Sequence, residues 1–246
     1  MRAAAIIVAG GEGTRMGAPI NKVFMELDGR SILEHSLQLF ESAALVERVV
    51  LVARRADLSR CGPLRERFGK LTVLVAGGDV RHRSEFAGVR SLAALIDAGE
   101  IDTVLVHDAV RPFASGALVD RLLSGLIQTI GCIPGLPVAR ATAQVAHGWI
   151  AGYPRNLWAV QTPQAFQATW LLEAHNKAAR QGFIGTDTAS VVEWAGGDVS
   201  VIEGEPNNIK ITTPDDLARA EGIASRLRSA SDGSPDEAPG AQAQKR

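Results

Sequence analysis

A glycine-rich turn followed by two basic residues lies close to the N-terminus. Gly10, Gly11 and Gly13 end an apolar run, and Arg15 and Lys22 follow them. Because glycine has no Cβ, backbone amides in such a turn can come close to an anion. The two basic side chains add positive charge, a combination suited to holding a triphosphate while bonds to phosphorus change. A tight strand-to-helix turn with two solvated cations is the simpler alternative.

Two better-known phosphate-binding loops do not fit this turn. A Walker loop ends in lysine followed by serine or threonine, and no such pair closes the segment. The dinucleotide fingerprint G-x-G-x-x-G matches at Gly11 and Gly13, but Met16 stands at its third glycine. A glycine is needed there for close packing of the helix on the strand. The turn therefore argues against a nicotinamide or flavin site.

The composition is that of an ordinary globular protein. The chain has 246 residues, of which 46% are hydrophobic and 22% charged, and its formal net charge is −1. No global field favours nucleic acid or an anionic membrane, so affinity for phosphate must be local. No apolar run approaches the roughly 20 residues that span a bilayer. Cys61 and Cys132 form no C-x-x-C pair, so we expect no disulfide framework or zinc site, and a cytoplasmic location.

Apolar runs alternate with helix-like segments over most of the chain. Continuous Val, Ile and Leu runs in such an alternation are typical of parallel strands covered on both faces. We therefore predict an α/β fold, a doubly wound, mostly parallel sheet with helices on both faces and a projecting β-arm. The strand-like runs are IIVA, VVLVA, LTVLVA, TVLVHD, VSVIEG and NIKIT. The predicted helices cover residues 57–68 and 84–98, or begin at Ser31, Ser115, Gln167, Asp187 and Thr213.

Local signals support two of these helix starts and the position of a site. Ser31 and Glu34 have the spacing of a capping box. Thr213 as N-cap, Pro214 at the first helical position and Asp216 at the third begin the last helix. Parallel sheets bind ligands beyond the carboxyl ends of their strands. Those ends carry AGGEG, AGGDVRHRS and HDAVRP, so we expect the site at this edge.

The pattern changes after Pro137 and again near the C-terminus. Residues at about 138–156 lack helical periodicity and resemble short strands joined at His147-Gly148. They predict a β-arm that pairs with a second subunit, the alternative being an ordinary surface hairpin. Residues 1–228 are predicted to form one domain that includes this arm. Residues 229–246 contain no aromatic or large aliphatic side chain, which predicts a disordered tail.

Five blocks of the sequence, taken in chain order, resemble one family. They are AAIIVAGGEGTRMG with NK, AGGDVRHRS, LVHDAVRPF, PRNLWAVQTPQAF, and GTDTAS with NNIKITTPDDL. Together they resemble the methylerythritol-phosphate cytidylyltransferases, over about residues 3 to 224. The resemblance implies a doubly wound sheet with a dimerising β-arm. It also implies a reaction in which a phosphate oxygen of a polyol phosphate attacks the α-phosphorus of CTP and pyrophosphate leaves.

The implied nucleophile is already an anion, so the reaction needs no general base. Its difficulty is repulsion between two phosphates, which places catalysis on cations and amides. The resemblance implies four catalytic residues: Arg15 and Lys22 at the triphosphate, and Arg155 and Lys210 at the acceptor phosphate. It implies CTP binding by Ala9, Gly10, Gly11, Gly13, Gly78, Asp79, Ser84 and Ala109. It implies substrate binding by Asp108, Arg111, Thr142, Arg155, Thr186 and Lys210.

Several of these roles are more specific. Gly78 and Asp79 are expected at the cytosine edge and Ser84 near the base or ribose, although Ser84 also suits the N-cap of the helix that it precedes. Mg²⁺ is expected as a bridge across the phosphates, held by phosphate oxygens and water rather than by a protein cage. Asp108 is the one carboxylate placed near the metal, and binding of the polyol hydroxyls is its alternative role. Gln161, Thr162 and Gln164 are expected to form a wall of the site.

The implied partners are CTP, a polyol phosphate and a second copy of the chain. A homodimer through the β-arm is expected, with Arg155 entering the neighbouring subunit's site. The sequence departs from the family pattern on the acceptor side. Ala141 precedes Thr142 with no basic residue after it, and Thr188 stands where a second acidic residue is common. Cytidylyl transfer is therefore better supported than the identity of the polyol.

Other functions were weighed against this interpretation. The nearest alternative is a cytidylyltransferase for another polyol phosphate such as ribitol 5-phosphate. Sugar-1-phosphate nucleotidyltransferases and molybdenum-cofactor cytidylyltransferases are disfavoured by the blocks HDAVRPF and NNIKIT, and a glycosyltransferase by the lack of a D-x-D motif in HDAV. A catalytically inactive nucleotide-binding protein is disfavoured because Arg15, Lys22, Arg155 and Lys210 are all present.

Overall fold

A mixed eight-stranded sheet with helices on both faces organises the chain. The computed structural model describes residues 1–11 and 21–231. Its strands are β1 (Ala3–Ala9), β2 (Glu26–Leu27), β3 (Arg30–Ser31), β4 (Val46–Ala53), β5 (Leu71–Ala76), β6 (Thr103–Asp108), β7 (Gly131–Pro137), β8 (Gln144–Ala146), β9 (Trp149–Gly152), β10 (Trp158–Val160), β11 (Gln164–Gln167) and β12 (Val199–Glu203). Its α-helices are α1 (Ile32–Ser42), α2 (Leu58–Cys61), α3 (Leu64–Arg67), α4 (Arg81–Ser91), α5 (Ala93–Asp97), α6 (Gly116–Gly125), α7 (Ala168–Gln181), α8 (Thr188–Ala195) and α9 (Pro214–Ser231).

The sheet order confirms the predicted α/β class. The strands lie in the order β10-β7-β11-β6-β1-β4-β5, with β12 beside β7. Strand β1 is parallel to β4 and β6, β4 is parallel to β5, and β12 is parallel to β7. Strands β10 and β11 are the antiparallel members. The carboxyl ends of β1, β5 and β6 therefore meet at one edge, where the sequence predicts the site.

The two faces of β1 pack into separate cores. Ala5 and Ile7 belong to the core that contains α1 and α6, whereas Ala4 and Ile6 belong to the core that contains α4 and α7. This burial on both faces explains why the strand is an uninterrupted apolar run rather than an alternating one. Gly88 brings α4 close to the sheet, because a Cβ at this position would lie 2.6 Å from Cγ2 of Ile6.

Helix starts that depend on local hydrogen bonds form as predicted. Ser31 and Glu34 make a capping box at α1, and Asp187 makes another at α8. The side chain of Ser115 caps α6. At α9 the Asp216 carboxylate accepts from the N–H of Thr213 at 2.8 Å, and Thr213 Oγ1 accepts from the N–H of Asp216 at 3.3 Å.

Three predicted elements are wrong in extent or kind. The helix predicted over residues 57–68 is two short helices, α2 and α3, separated by Gly62-Pro63, where proline removes a backbone donor. The helix predicted over residues 84–98 begins at Arg81 instead and is divided into α4 and α5. The segment NIKIT is not a strand, because its Ile209 and Ile211 side chains pack against Leu27 and α9. Its Ile211 N–H donates to the Val110 carbonyl at 2.9 Å, whereas Asn208 and Ile209 donate to the nearby carbonyls of Glu205 and Asn207.

A β-hairpin projects where the arm is predicted. Strands β8 and β9 form a separate two-stranded sheet, and the chain rejoins the main sheet at β10. The turn lies at His147 and Gly148, both with positive φ (51° and 83°), as a two-residue hairpin turn requires. At the other end, α9 continues three residues past the predicted domain boundary at 228. The rest of the predicted tail, residues 232–246, lies outside the described residues, as do Gly13 and Arg15.

None of the helices in the described ranges combines the length and apolar content needed to cross a membrane.

Candidate active site

A cavity of about 360 Å³ opens at the carboxyl ends of β1, β5 and β6. Most of the residues assigned from the sequence line it. They are Ala9, Gly10, Gly11, Lys22, Gly78, Asp79, Ser84, Asp108 and Lys210. Ala109 does not line the cavity, because it is buried with its N–H bonded to Val8 and its carbonyl bonded to Ser36. The cavity therefore joins the predicted triphosphate turn to one predicted acceptor cation.

Lys22 is held at the cavity wall by a local turn. It begins the 3₁₀ turn Lys22–Phe24 and is 8% exposed. The Asn21 side chain caps this turn at the N–H of Val23 and donates to Asp57 Oδ2 at 2.9 Å. Asp57 also accepts from Arg54 at 2.6 Å, so its carboxylate is compensated. Sequence reasoning missed Asn21 and Asp57, since a contact over 36 positions leaves no local pattern.

The loop after β5 is closed on itself by Ser84. Its hydroxyl accepts from the N–H of Gly78 at 3.1 Å and lies 3.2 Å from the Val80 carbonyl. A Cβ on Gly78 would lie 2.5 Å from Cβ of Arg83, so glycine is required there. The suggestion that Ser84 is an N-cap is wrong, because α4 begins three residues earlier and Ser84 lies within its first turn. Asp79 is exposed and accepts from Arg83 at 2.6 Å.

Asp108 is a buried carboxylate surrounded by cations. Lys210 Nζ lies 2.7 Å from Oδ2, and Arg81 donates to Oδ1 from Nε at 3.1 Å and from Nη2 at 3.0 Å. Arg111 Nε is 3.8 Å from Oδ2. Burial alone favours the neutral acid, but the cations outweigh it and hold the pKa of Asp108 well below its usual range. Asp108 is therefore an anion at neutral pH.

A buried hydrogen-bond chain fixes the backbone on either side of Asp108. The N–H of Asp108 donates to Thr162 Oγ1 at 3.0 Å, and His107 Nε2 lies 3.2 Å from the Arg111 carbonyl. A carbonyl can only accept, so Nε2 carries the proton and Nδ1 accepts from the Thr162 hydroxyl at 3.1 Å. Burial lowers the pKa of His107 to about 4, which keeps this ring neutral.

The predicted wall residues Gln161 and Thr162 hold the segment that carries Lys210. Gln161 Nε2 donates to the Glu205 carbonyl at 2.8 Å, and its Oε1 accepts from the Glu205 N–H at 2.9 Å. Asn208 Nδ2 donates to the Thr162 carbonyl at 2.9 Å. Arg111 joins the same segment through Nη1, which donates to the Asn208 carbonyl at 2.8 Å. Both residues therefore position cations of the site.

Arg81 is a site residue that sequence reasoning missed. It lines the cavity, bonds to Asp108 and forms an ion pair with Glu85, one helical turn further along α4. Thr188 Oγ1 donates to Glu85 Oε1 at 2.7 Å, and both residues are buried. Burial raises the pKa of Glu85 to about 7, although the Arg81 guanidinium opposes that shift. The arginine in the block AGGDVRHRS was a signal that could have identified it.

Four of the predicted substrate residues do not line this cavity. Arg155 and Thr142 lie on the arm segment between β7 and β10, and Arg155 is exposed. Thr186 is exposed just before α8, and its N–H is bonded to Ser190 Oγ. Arg111 lies 3.8 Å from Asp108 and lines a neighbouring cavity that also includes Lys210. Within the described part of one chain, the cavity therefore brings together more of the predicted CTP-binding residues than of the predicted substrate-binding residues.

The described residues do not provide a ligand set for Mg²⁺. Among residues 1–11 and 21–231, no three His, Cys, Asp or Glu side chains cluster in a way that could hold a metal ion. Asp108 does not suit direct coordination, because Arg81 and Lys210 already occupy its two oxygens and add positive charge.

Known proteins are similar to the chain along nearly its whole length. The 2-C-methyl-D-erythritol 4-phosphate cytidylyltransferase of Bacillus licheniformis is 40% identical over 222 residues, which cover 89% of this chain and 94% of the relative. The protein of the same name from Geobacillus kaustophilus is 41% identical over 229 residues, which cover 91% and 97%.

Solved structures agree with these relatives. The crystal structure of 2-C-methyl-D-erythritol 4-phosphate cytidylyltransferase from Thermus thermophilus has a TM-score of 0.71 at 32% identity and covers 92% of this chain and 100% of its own. The 4-diphosphocytidyl-2C-methyl-D-erythritol synthase of Anaerococcus prevotii has a TM-score of 0.79 at 28% identity, with coverage of 92% and 96%. The IspD family model matches residues 3–226. This chain therefore belongs to the 2-C-methyl-D-erythritol 4-phosphate cytidylyltransferase (IspD) family.

Proposed function

We propose that this chain transfers CMP from CTP to 2-C-methyl-D-erythritol 4-phosphate and releases pyrophosphate. One observation carries the proposal: a single cavity brings together the glycine turn after β1, Lys22, the loop Gly78–Ser84, and Asp108 with its cations. The family and its relatives supply the identity of the two substrates.

The chemistry follows from the charges at this cavity. The acceptor phosphate attacks the α-phosphorus of CTP, so two anions must approach one another. Like charges 4 Å apart repel by about 4 kcal/mol at an effective dielectric of 20. Both lysines line the cavity, where Lys22 would reduce this repulsion near the triphosphate and Lys210 would reduce it near the acceptor phosphate. Arg15 keeps its proposed role at the triphosphate on the strength of the family resemblance alone.

Lys210 is suited to exchange partners during the reaction. Its side chain is 40% exposed although Nζ lies 2.7 Å from Asp108. An incoming phosphate can therefore reach Nζ while the Glu205 N–H stays bonded to Gln161 and the Asn208 side chain to the Thr162 carbonyl. Before substrate binds, the Asp108 carboxylate holds the Lys210 ammonium group in position. After Lys210 moves to the phosphate, Arg81 still balances the negative charge of Asp108. Its carboxylate is then available to the hydroxyls of the polyol.

We further propose that Mg²⁺ enters with CTP as a metal–triphosphate complex. This proposal is supported by the commitment of both Asp108 oxygens to cations. Phosphate oxygens and water are ligands that Mg²⁺ commonly keeps in nucleotide sites.

The proposed assembly is a homodimer through the arm. The hairpin of β8 and β9 exposes Val145, Trp149 and Ile150, and Trp149 is 80% exposed. Apolar side chains of this size at a hairpin favour pairing with a second copy. Arg155 and Thr142, carried on the same arm, would then complete the acceptor side of the partner's cavity.

A reducing compartment, the cytoplasm, suits the two free buried cysteines.

A pyrophosphate-release assay tests the proposed reaction. CTP is supplied with methylerythritol 4-phosphate, erythritol 4-phosphate or ribitol 5-phosphate, and UTP replaces CTP as the control for the base. We expect the highest kcat/KM for CTP with methylerythritol 4-phosphate. A higher kcat/KM with ribitol 5-phosphate would assign a different acceptor, and no release with any of the three would overturn the proposal.

A further inference from the structure

A buried carboxylate lies behind the cavity without facing it. Glu85 is 1% exposed and Thr188 is fully buried. Glu85 is not among the residues that line the cavity, whereas Arg81, with which it pairs, is. Burial of an anion is costly unless it is paired and hydrogen-bonded, and Glu85 has both kinds of partner.

The contacts of Glu85 connect three elements to the site. Thr188 is the first residue of α8 and donates its hydroxyl proton to Glu85 Oε1 at 2.7 Å. Glu85 pairs with Arg81 Nη1 along α4. The opposite edge of the same guanidinium, formed by Nε and Nη2, donates to Asp108 Oδ1 at the end of β6. Asp108 Oδ2 pairs with Lys210 at 2.7 Å, with Arg111 further away at 3.8 Å. These contacts form a chain of side chains that runs from Thr188 through Glu85, Arg81 and Asp108 to Lys210.

We propose that Glu85, held by Thr188, is a positioning residue that fixes Arg81 so that Asp108 presents one oxygen to Lys210 for acceptor binding. This inference rests on the proposed function, because it assigns Lys210 and Asp108 to the acceptor side. The required feature is the negative charge that Glu85 places directly at Arg81 Nη1. Asp187 also interacts electrostatically with Arg81, but no ion pair joins the two side chains among the described residues. An arginine side chain loses considerable rotamer freedom when it is fixed, and two anchors on opposite sides of its planar fork define one orientation.

A neutral side chain in place of Glu85 would leave the Arg81 side chain less firmly fixed. With Nη1 facing no anion, Arg81 can turn toward water or take a larger share of Asp108, and Lys210 then loses its fixed position. The expected consequence falls on the acceptor. The residues proposed to bind CTP at the β1 turn and at Gly78 also line the cavity, and Gly78 is held by Ser84 rather than by Asp108. The KM for the polyol phosphate should therefore change more than the KM for CTP.

The proposal is tested by moving the charge from one residue to the other. The variants are Glu85→Gln, which removes the charge and keeps the shape, and Thr188→Asp, which places a second carboxylate where the Thr188 hydroxyl lies. The third is the double variant, which again has one carboxylate facing Arg81. An aspartate at the first position of α8 suits the helix N-terminus. Glu66→Gln, an exposed glutamate on α3, is the matched control.

Steady-state kinetics at about pH 8, above the pKa of about 7 to which burial raises Glu85, give the readout. Glu85→Gln should raise the KM for methylerythritol 4-phosphate by about tenfold and change the KM for CTP less than about threefold. Thr188→Asp, which sets two carboxylates against one guanidinium, should also raise the acceptor KM. The double variant should recover to within about threefold of the parent. Glu66→Gln should leave both KM values unchanged.

Two results would overturn the proposal: an unchanged acceptor KM in Glu85→Gln, or a double variant in which the losses add. A residue needed only for packing would show additive losses, because moving a charge does not restore a packing contact. If a single variant is already unfolded at the assay temperature, the acceptor KM of the double variant still tests the proposal. The test remains separate from the proposed function, because a parent enzyme that prefers another acceptor is assayed with that acceptor.

Discussion

Single side chains set the charge of the cavity, and Asp108 is the residue around which the others are arranged. Its carboxylate is compensated by Arg81 and Lys210, and Lys22 and Lys210 both line the cavity. Backbone amides of Gly10 and Gly11 add donors that need no side chain. In the proposed reaction, these groups would stabilise negative charge without having to move into place when substrate binds.

Replacing Lys22 by alanine tests the triphosphate side. We expect Lys22→Ala to lower kcat by on the order of 10²-fold or more, because a preorganised cation at the transferring group is lost. The measurement is pyrophosphate release under saturating CTP, with far-UV circular dichroism to check folding. Arg180→Ala removes an exposed cation at the end of α7 and should leave kcat unchanged. A kcat near that of the parent in Lys22→Ala would remove this residue from the mechanism.

Thr162 carries a separate prediction about stability. Thr162→Val leaves the Asp108 N–H and His107 Nδ1 without their buried partner. The free energy of unfolding should fall by about 1–3 kcal/mol, the usual cost of buried groups left unsatisfied. Urea denaturation measures it, and Thr169→Val, at an exposed threonine of α7, should cost less than about 0.5 kcal/mol. Equal losses in the two variants would contradict the hydrogen-bond chain deduced for His107.

Secondary-structure elements determine where the side chains of the site lie, and α9 is the clearest example. Lys210 lies on an irregular segment that is held on one side by Gln161 and Thr162 and on the other by the start of α9. Asp216 accepts from Thr212 Oγ1 at 2.6 Å and from the N–H groups of Thr212 and Thr213. Burial opposes its charged form, but these hydrogen bonds prevail and lower its pKa to about 2.

The cap at α9 predicts a specific dependence of stability on pH. A folded-state pKa below the unfolded value of 3.8 means that the contribution of Asp216 is complete above about pH 4 and disappears as pH falls toward about 2. Asp216→Asn should therefore lower the free energy of unfolding by about 1 kcal/mol at pH 7 and by much less near pH 2. Denaturation at several pH values measures the difference. Asp215→Asn, at an exposed position of the same turn, should show no such trend.

At the scale of the whole molecule, the arm extends away from the sheet. Trp149 is 80% exposed, Tyr153 71% and Val145 61%, and such apolar exposure on a hairpin is characteristic of an interface. The arm also carries Arg155, which does not line the cavity of its own chain. The proposed dimer accounts for both features, because one chain would supply Arg155 to the other.

Mixing two inactive variants tests the shared site. Arg155→Ala and Lys22→Ala are expected to be inactive alone. A mixed dimer would contain one site with both residues intact, so random mixing should restore about a quarter of the parent activity. Activity is measured after unfolding and refolding the mixture, and differently tagged subunits confirm that mixed dimers formed. Absence of rescue in such a sample would show that Arg155 does not act across the interface.

Local sequence determined the elements and the edge of the sheet at which the site lies. The capping boxes at Ser31 and Asp187 form between residues three positions apart, so the sequence contains the whole interaction. The apolar run of β1 is buried on both faces, which made the parallel sheet predictable. The same reasoning overlooked the local break at Gly62-Pro63 between α2 and α3. It also missed the irregular course of NIKIT, where packing of Ile209 and Ile211 outweighed the local pattern.

Tertiary structure alone decided which charges meet. Asp108 pairs with Arg81, which is 27 positions away, and with Lys210, which is more distant still, and it depends on Thr162 through a bond over 54 positions. Those partners come together because β6 lies between β11 and β1 in the sheet, an order that no short pattern contains. Hydrogen bonds and ion pairs depend on distances of about 3 Å, which only the packed elements establish.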